Sequence, residues 1–155
     1  MFCIRRMRRE DIADVAELER KIFTDAWSEK AIQETLDQKQ TMILLAYEDK
    51  RLIGYLILYF VLEDGEIARI AVEDAYRRQG VASCMIRELE CLCEENGVNK
   101  LLLDVRESNE SACRFYEKQG FVRDGVRKNY YSDPVEDGIL MSCELGAAIH
   151  GSGMH

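Results

Sequence analysis

The sequence predicts an α/β domain built on a mixed sheet flanked by helices. Three observations carry that prediction. Three strand-like runs follow one another between residues 41 and 72, separated only by tight turns. The longest helical pattern, Val81–Asn96, begins directly after a glycine turn. An apolar run, Lys100–Val105, then feeds a second helix and two further strand-like segments. The order reads β-α-α-β-β-β-α-β-α-β-β, which suits one layered domain.

Each element has its own local reason. Phe2–Arg6 is a short strand. Asp11 opens a helical pattern in which Ile12, Val15, Ala16, Leu18, Ile22 and Phe23 form one apolar stripe. Ser28 is a suitable N-cap for a second helix, Glu29–Leu36, because its hydroxyl can accept an orphan backbone N–H. Thr41–Glu48 and Leu52–Leu62 read as strands about the turn Asp49-Lys50-Arg51. Glu63-Asp64-Gly65-Glu66 reads as a further turn, and Ile67–Val72 as the third strand. In Val81–Asn96 the residues Ala82, Ile86, Leu89 and Cys93 recur at helical spacing, with Met85 and Leu92 widening the stripe. Asn96-Gly97 stops that helix, since both residues tolerate a left-handed backbone. Lys100–Val105 looks buried on both faces, as a central strand would be. Asn109–Gln119 is a helix ended by Gly120. Phe121–Tyr130 and Ile139–Leu145 close the sheet around Ser132-Asp133-Pro134. Residues 1–145 are expected to be one domain, and 146–155 a disordered tail of small residues.

Composition bounds the function. A chain of 155 residues, 47% apolar and 32% charged, suits one soluble domain with a substantial core. No apolar run approaches the roughly 20 residues of a membrane helix. The arginine-bearing N-terminus has no apolar core, so no signal peptide and a cytoplasmic location are expected. A net charge of −8 argues against general nucleic-acid binding; it is compatible with a positively charged substrate, although solubility alone explains such an excess more readily. The six cysteines show no C-x-x-C spacing and only two histidines accompany them. Buried, reduced thiols and no metal site are therefore expected.

The most informative segment is Arg77-Arg78-Gln79-Gly80-Val81-Ala82-Ser83. A strand runs out, a glycine turn follows and a helix begins. The first turn of a helix presents backbone N–H groups and a partial positive charge. Gly80 has no Cβ and allows close approach of an anion, while Arg77 and Arg78 add cationic donors. The segment reads as a cradle for a diphosphate.

The cradle has company. Leu101-Leu102-Leu103-Asp104-Val105-Arg106 precedes Glu107-Ser108-Asn109, and the next helix carries Tyr116 ahead of Gly120-Phe121. The chain up to about Leu145 resembles the GNAT superfamily of acyl-CoA-dependent N-acyltransferases. The family pattern Q/R-x-x-G-x-G/A is met by Arg77, Gly80 and Ala82. Asn109, Tyr116, Gly120 and Phe121 match its second half in order and spacing. Within the superfamily the chain is most similar to the RimI type, through Ala26-Trp27-Ser28-Glu29-Lys30, Ile70-Ala71-Val72, Asp104–Asn109 and Asn129-Tyr130-Tyr131. That type usually carries proline where Ala26 stands and glutamate where Asp104 stands.

The resemblance implies a single-domain GNAT-like fold with a mostly antiparallel sheet. It implies acetyl-CoA as cofactor, coenzyme A as product, and the N-terminal α-amine of a basic ribosomal protein as acceptor. Ile70, Ala71 and Val72 would pair with the cofactor's amide arm, residues 77–83 would hold its diphosphate, and Asn109 would hold the arm's far end or cap its helix. Asp104 falls at the general-base position; one methylene shorter than glutamate, it would act directly or through water. Tyr116 falls at the general-acid position, where a phenol can protonate the leaving thiolate. Trp27, Tyr130 and Tyr131 would wall the peptide pocket, although plain core packing explains such aromatics equally well. Two other functions stay open: acetylation of a small amine such as a polyamine or amino sugar, and a non-catalytic acyl-CoA-binding regulator.

Overall fold

The computed structural model describes residues 2–145; the tail expected at 146–155 lies outside the described residues. Among the described residues seven strands and four α-helices follow one another. They are β1 (Cys3–Arg6), α1 (Ile12–Ile22), α2 (Glu29–Asp37), β2 (Thr41–Glu48), β3 (Arg51–Val61) and β4 (Asp64–Val72). There follow α3 (Val81–Glu95), β5 (Lys100–Arg106), α4 (Glu110–Lys118), β6 (Val122–Ser132) and β7 (Val135–Glu144). The hydrogen-bonded strand order is β1-β2-β3-β4-β5-β7-β6. β1–β2, β2–β3, β5–β7 and β6–β7 pair antiparallel, and β4–β5 is parallel. The sheet is thus mixed and mostly antiparallel, as the sequence implies.

The chain packs as two compact units, residues 2–61 with 67–92, and residues 62–66 with 93–145. In the first, Val15, Ala16 and Leu18 of α1 and Ile32 of α2 bury against Ile43, Leu45, Tyr55 and Ile57 of β2 and β3. α3 contributes Val81, Met85, Ile86 and Leu89 to the buried set. Its apolar stripe is centred closer to Val81 than the sequence reading had it, leaving Ala82 and Leu92 at the margin. In the second unit, Leu101, Leu103 and Val105 of β5, Ile139 and Met141 of β7 and Cys113 and Tyr116 of α4 are buried.

The helix ends follow the local chemistry. The Ser28 hydroxyl accepts the Ala31 N–H at 3.1 Å, as expected of an N-cap. Gly97 has φ +75°, and the Val98 and Gly97 N–H groups bond back to the Cys93 and Glu94 carbonyls. That pairing satisfies two orphan acceptors at the end of α3.

Three expectations need correction. The segment 63–66 is not a whole turn: β4 already starts at Asp64, and Asp64, Gly65 and Glu66 pair parallel with Lys100, Leu101 and Leu102. Turn-forming residues were overruled there by an available strand edge. β5 is not buried on both faces either. Leu101, Leu103 and Val105 are buried, whereas Leu102, Asp104 and Arg106 alternate with them on a half-open face. Of the six cysteines only Cys93 and Cys113 are buried, and Cys3 and Cys91 are exposed.

One charged residue anchors the N-terminal segment. Asp11, 3% exposed, accepts both Arg5 guanidinium arms at 2.8 Å and the Arg8 N–H at 2.8 Å. The Tyr47 hydroxyl on β2 donates to it from 3.0 Å. The Arg5 bonds, helped by Arg8 and Tyr47 and opposed by burial, hold its carboxyl at about 2, below the ordinary 3.8. A depressed carboxyl adds stability above its unfolded pKa and loses it as pH falls through the folded one. Asp11→Asn should therefore lower stability by about 2 kcal/mol near neutrality. In urea melts the gap between the two proteins should close as pH falls from about 4 towards 2. A gap independent of pH would show that the carboxylate charge contributes nothing.

Candidate active site

The first unit holds the cradle. Gly54 lets β3 and β4 approach closely: a Cβ there would stand 2.9 Å from the Ala71 carbonyl oxygen. Ala71 is buried, and Ile70 and Val72 beside it are half-buried. The Glu73 N–H donates to the Ile53 carbonyl at 2.8 Å, and a short 3-10 turn, Asp74–Tyr76, redirects the chain. Arg78 and Gly80 both take a left-handed backbone, with φ of +66° and +82°. The Gly80 carbonyl accepts the Cys84 N–H at 3.0 Å, so Val81, Ala82 and Ser83 form the first turn of α3.

A Cβ built on Gly80 meets no atom within 4 Å, so glycine keeps the space before the helix start clear. The side chains around it are partly engaged. Arg77 Nε lies 3.2 Å from Asp74 Oδ1 and donates to the Val72 carbonyl at 3.4 Å. Gln79 donates to the Ala75 carbonyl at 3.3 Å. An open glycine, a helix N-terminus and two arginines fit a diphosphate.

The second unit holds the candidate acid and base. Asp104 lies on the half-open face of β5, with its side chain 8% exposed. Its Oδ1 accepts Arg127 Nε of β6 at 2.8 Å. Tyr130 and Tyr131 stack edge to face at 5.0 Å. They rest on Gly138 of β7, where a Cβ would stand 3.2–3.3 Å from both rings. A positive φ at Asn129 and an irregular register between Arg127 and Tyr131 place these two rings side by side. Burial first, and the Asp104 charge second, push the Tyr131 phenol up to about 12. The Arg106 guanidinium lies over the Tyr131 ring at 4.4 Å and donates to Glu136 at 3.0 Å.

Tyr116 is 7% exposed on α4, flanked edge to face by Phe115 and Phe121. Burial chiefly, then Tyr131 and Cys113, push its phenol well above the ordinary value, so it stays protonated at neutral pH. Asn109 is the N-cap of α4: its Oδ1 accepts the Ala112 N–H at 3.2 Å.

Trp27 belongs to the first unit, where it is half-buried against the core. Its surroundings contain the feature that sequence reading missed. Glu19, 1% exposed within α1, accepts the Trp27 N–H at 2.9 Å and Arg69 of β4 at 2.6 Å. The Tyr55 hydroxyl of β3 donates to its other oxygen. Burial, and then that bond, raise the Tyr55 phenol far above its ordinary value. Arg69 also lies over the Phe23 ring at 3.8 Å and the Trp27 ring at 5.3 Å. A faint signal existed in Glu19 itself, an acidic residue beside Leu18 on the apolar stripe of α1.

Residues 12–121 match the acetyltransferase (GNAT) family, and the chain belongs to it. It is an acetyl-CoA-dependent N-acetyltransferase. Within that class it is similar to the [ribosomal protein bS18]-alanine N-acetyltransferase of Escherichia coli K12, 31% identical over 94% of this chain and 99% of the relative. A Bacillus subtilis protein that carries the same name provisionally is 37% identical over 89% of this chain and 92% of its own. The crystal structure of the E. coli ribosomal-protein-S18-alanine N-acetyltransferase superposes with a TM-score of 0.86, at 28% identity and 94% coverage of each chain.

Two outcomes test these assignments. Gly80→Val should weaken acetyl-CoA binding severely in calorimetry while leaving a folded protein, because the side chain enters the open space before α3. Unchanged affinity would remove the cradle from the cofactor site. Glu19→Gln should cost about 3–5 kcal/mol in denaturant unfolding, since it takes the buried anion from Arg69 and leaves it only the exposed Asp25 carboxylate at 3.4 Å. A loss below about 1 kcal/mol, the worth of a surface pair, would mean that water replaces the carboxylate.

Proposed function

We propose that this enzyme transfers the acetyl group of acetyl-CoA to the N-terminal α-amine of a ribosomal protein in the cytoplasm. The observation that carries this reading is the nearly enclosed Asp104 carboxylate beside the Tyr130–Tyr131 pair. It offers a proton acceptor next to aromatic walls suited to a peptide. The names of the E. coli and B. subtilis relatives support the acceptor class.

Acetyl-CoA supplies an activated thioester carbonyl, and the chain's residues manage two protons. The neutral amine attacks the carbonyl carbon directly. Asp104 receives the proton that the nitrogen sheds, through one water, because its side chain is a methylene shorter than glutamate. As the carbon–sulfur bond breaks, Tyr116 protonates the departing thiolate. A phenol kept protonated by burial is in the correct state for that donation. An α-amine with a pKa of about 8 is far more often neutral at pH 7 than a lysine amine at about 10.4. The net charge of −8 favours a basic peptide.

Tyr116→Phe should lower kcat by roughly 10²–10⁴-fold, the usual worth of general acid catalysis, with little change in acetyl-CoA affinity. Mass spectrometry of peptides with a small first residue and basic followers should place the acetyl group on the α-amine. Acetylation found only on lysine side chains or on polyamines would reject the acceptor assignment. Near-normal turnover in the tyrosine variant would move the acid role elsewhere.

A further inference from the structure

The base proposed above is already occupied. Asp104 Oδ1 is bonded to Arg127 Nε at 2.8 Å, and Asp104 is almost enclosed whereas Arg127 is half-exposed. We propose that Arg127 determines amine selectivity: paired with Asp104, it leaves no free carboxylate for an incoming ammonium and admits only an amine that arrives uncharged. This inference rests on the reading of Asp104 as the base.

The other charged groups around Asp104 do not take over this task. Arg106, two residues along β5, donates to Glu136 of β7 at 3.0 Å. Glu136 also accepts the Ser108 N–H at 2.7 Å. Lys128, next to Arg127 on β6, lies 3.4 Å from Asp137. Tyr130 and Tyr131 are neutral phenols whose protons are held more tightly than usual. Glu66 of β4 stands opposite Leu102, the residue two before Asp104, and is exposed. Without Arg127, Asp104 would present an anion with no guanidinium bonded to it, which would attract an ammonium. With it, that carboxylate is matched by a cation already in place.

The chemical consequence is selection by protonation state. A bare carboxylate binds the ammonium form and can strip its proton, which erases the disadvantage of a strongly basic amine. A carboxylate held by a guanidinium offers the ammonium no such gain, and the guanidinium repels it. At pH 7 about one α-amine in ten is neutral, against fewer than one lysine amine in a thousand, from pKa values of about 8 and 10.4. Arg127 keeps that intrinsic difference in force. Asp104 still accepts the proton, but only after the nitrogen has bonded to the carbonyl carbon. Arg127, paired with Gly138, directly precedes a break in the register of β6 against β7, and its half-exposed side chain lies beside solvent that can supply the water that carries the proton.

The test compares wild type, Arg127→Gln and Arg127→Lys on two peptides, one with a free N-terminus and no lysine, one Nα-blocked with a single lysine. kcat/KM is measured from pH 6 to 9 with acetyl-CoA. Arg127→Gln should reduce the preference for the α-amine by roughly tenfold, the order of one charge–charge contact near a protein surface. It should also flatten the rise of the lysine rate with pH. Arg127→Lys, which keeps the cation, should retain the preference. An unchanged preference and slope in a folded Arg127→Gln protein overturns the inference. So does an equal loss of preference in Arg127→Lys, which would assign the effect to packing against Tyr130. Asp104→Asn separates the two readings. Full turnover in Asp104→Asn alone sinks the base assignment. A strong loss there, with Arg127→Gln having no further effect on preference in the double variant, confirms that Arg127 acts through Asp104.

Discussion

The buried Glu19 carboxylate is the interaction on which the N-terminal half depends. It ties four parts of the chain that are far apart in sequence: α1, the Trp27 segment before α2, Tyr55 of β3 and Arg69 of β4. A carboxylate 1% exposed would cost several kcal/mol if unpaired, so each donor is required by the others. The ion pair contributes little net stability compared with an apolar replacement, yet removal of one member is expensive. Such an arrangement favours one geometry. It fixes the chain entering α2 against the strand that ends in Ile70-Ala71-Val72.

The C-terminal half is governed by the alternation along β5. Leu101, Leu103 and Val105 are buried on one face, and the residues between them reach the other face by the pleat alone. Asp104 therefore occurs within a central strand without crossing an apolar core. Its partner Arg127 and the rings of Tyr130 and Tyr131 come from β6, an edge strand whose register is broken twice. An irregular edge can aim long side chains that a flat ladder would hold in alternation.

The two units hold candidate groups of different kinds. The candidate anion site combines backbone amides, a glycine without Cβ and arginines, all close together in sequence between β4 and α3. The candidate base and acid stand in different environments: Asp104 is held by a cation, and Tyr116 is sunk among aromatic rings. Membership of the GNAT family accounts for the reaction class.

Much of this was legible in residues alone. Ser28 and Asn109 as helix caps, Gly80 and Gly97 at left-handed positions and the bounds of β2 follow from local backbone chemistry, which a short window contains. The turn that leads into α3 at Val81 was legible for the same reason, since all its parts are consecutive. The start of β4 at Asp64 was not, because its ladder to Lys100–Leu102 is non-local and overrides turn propensity. The open face of β5 was hidden because leucine occupies both faces of that strand. The Glu19–Arg69 pair, 50 residues apart, and the Arg127–Asp104 pair, 23 apart, carry no periodic signature. Charged residues look alike in sequence whether solvated or buried. Only the tertiary structure decides which of them lose water and must find each other.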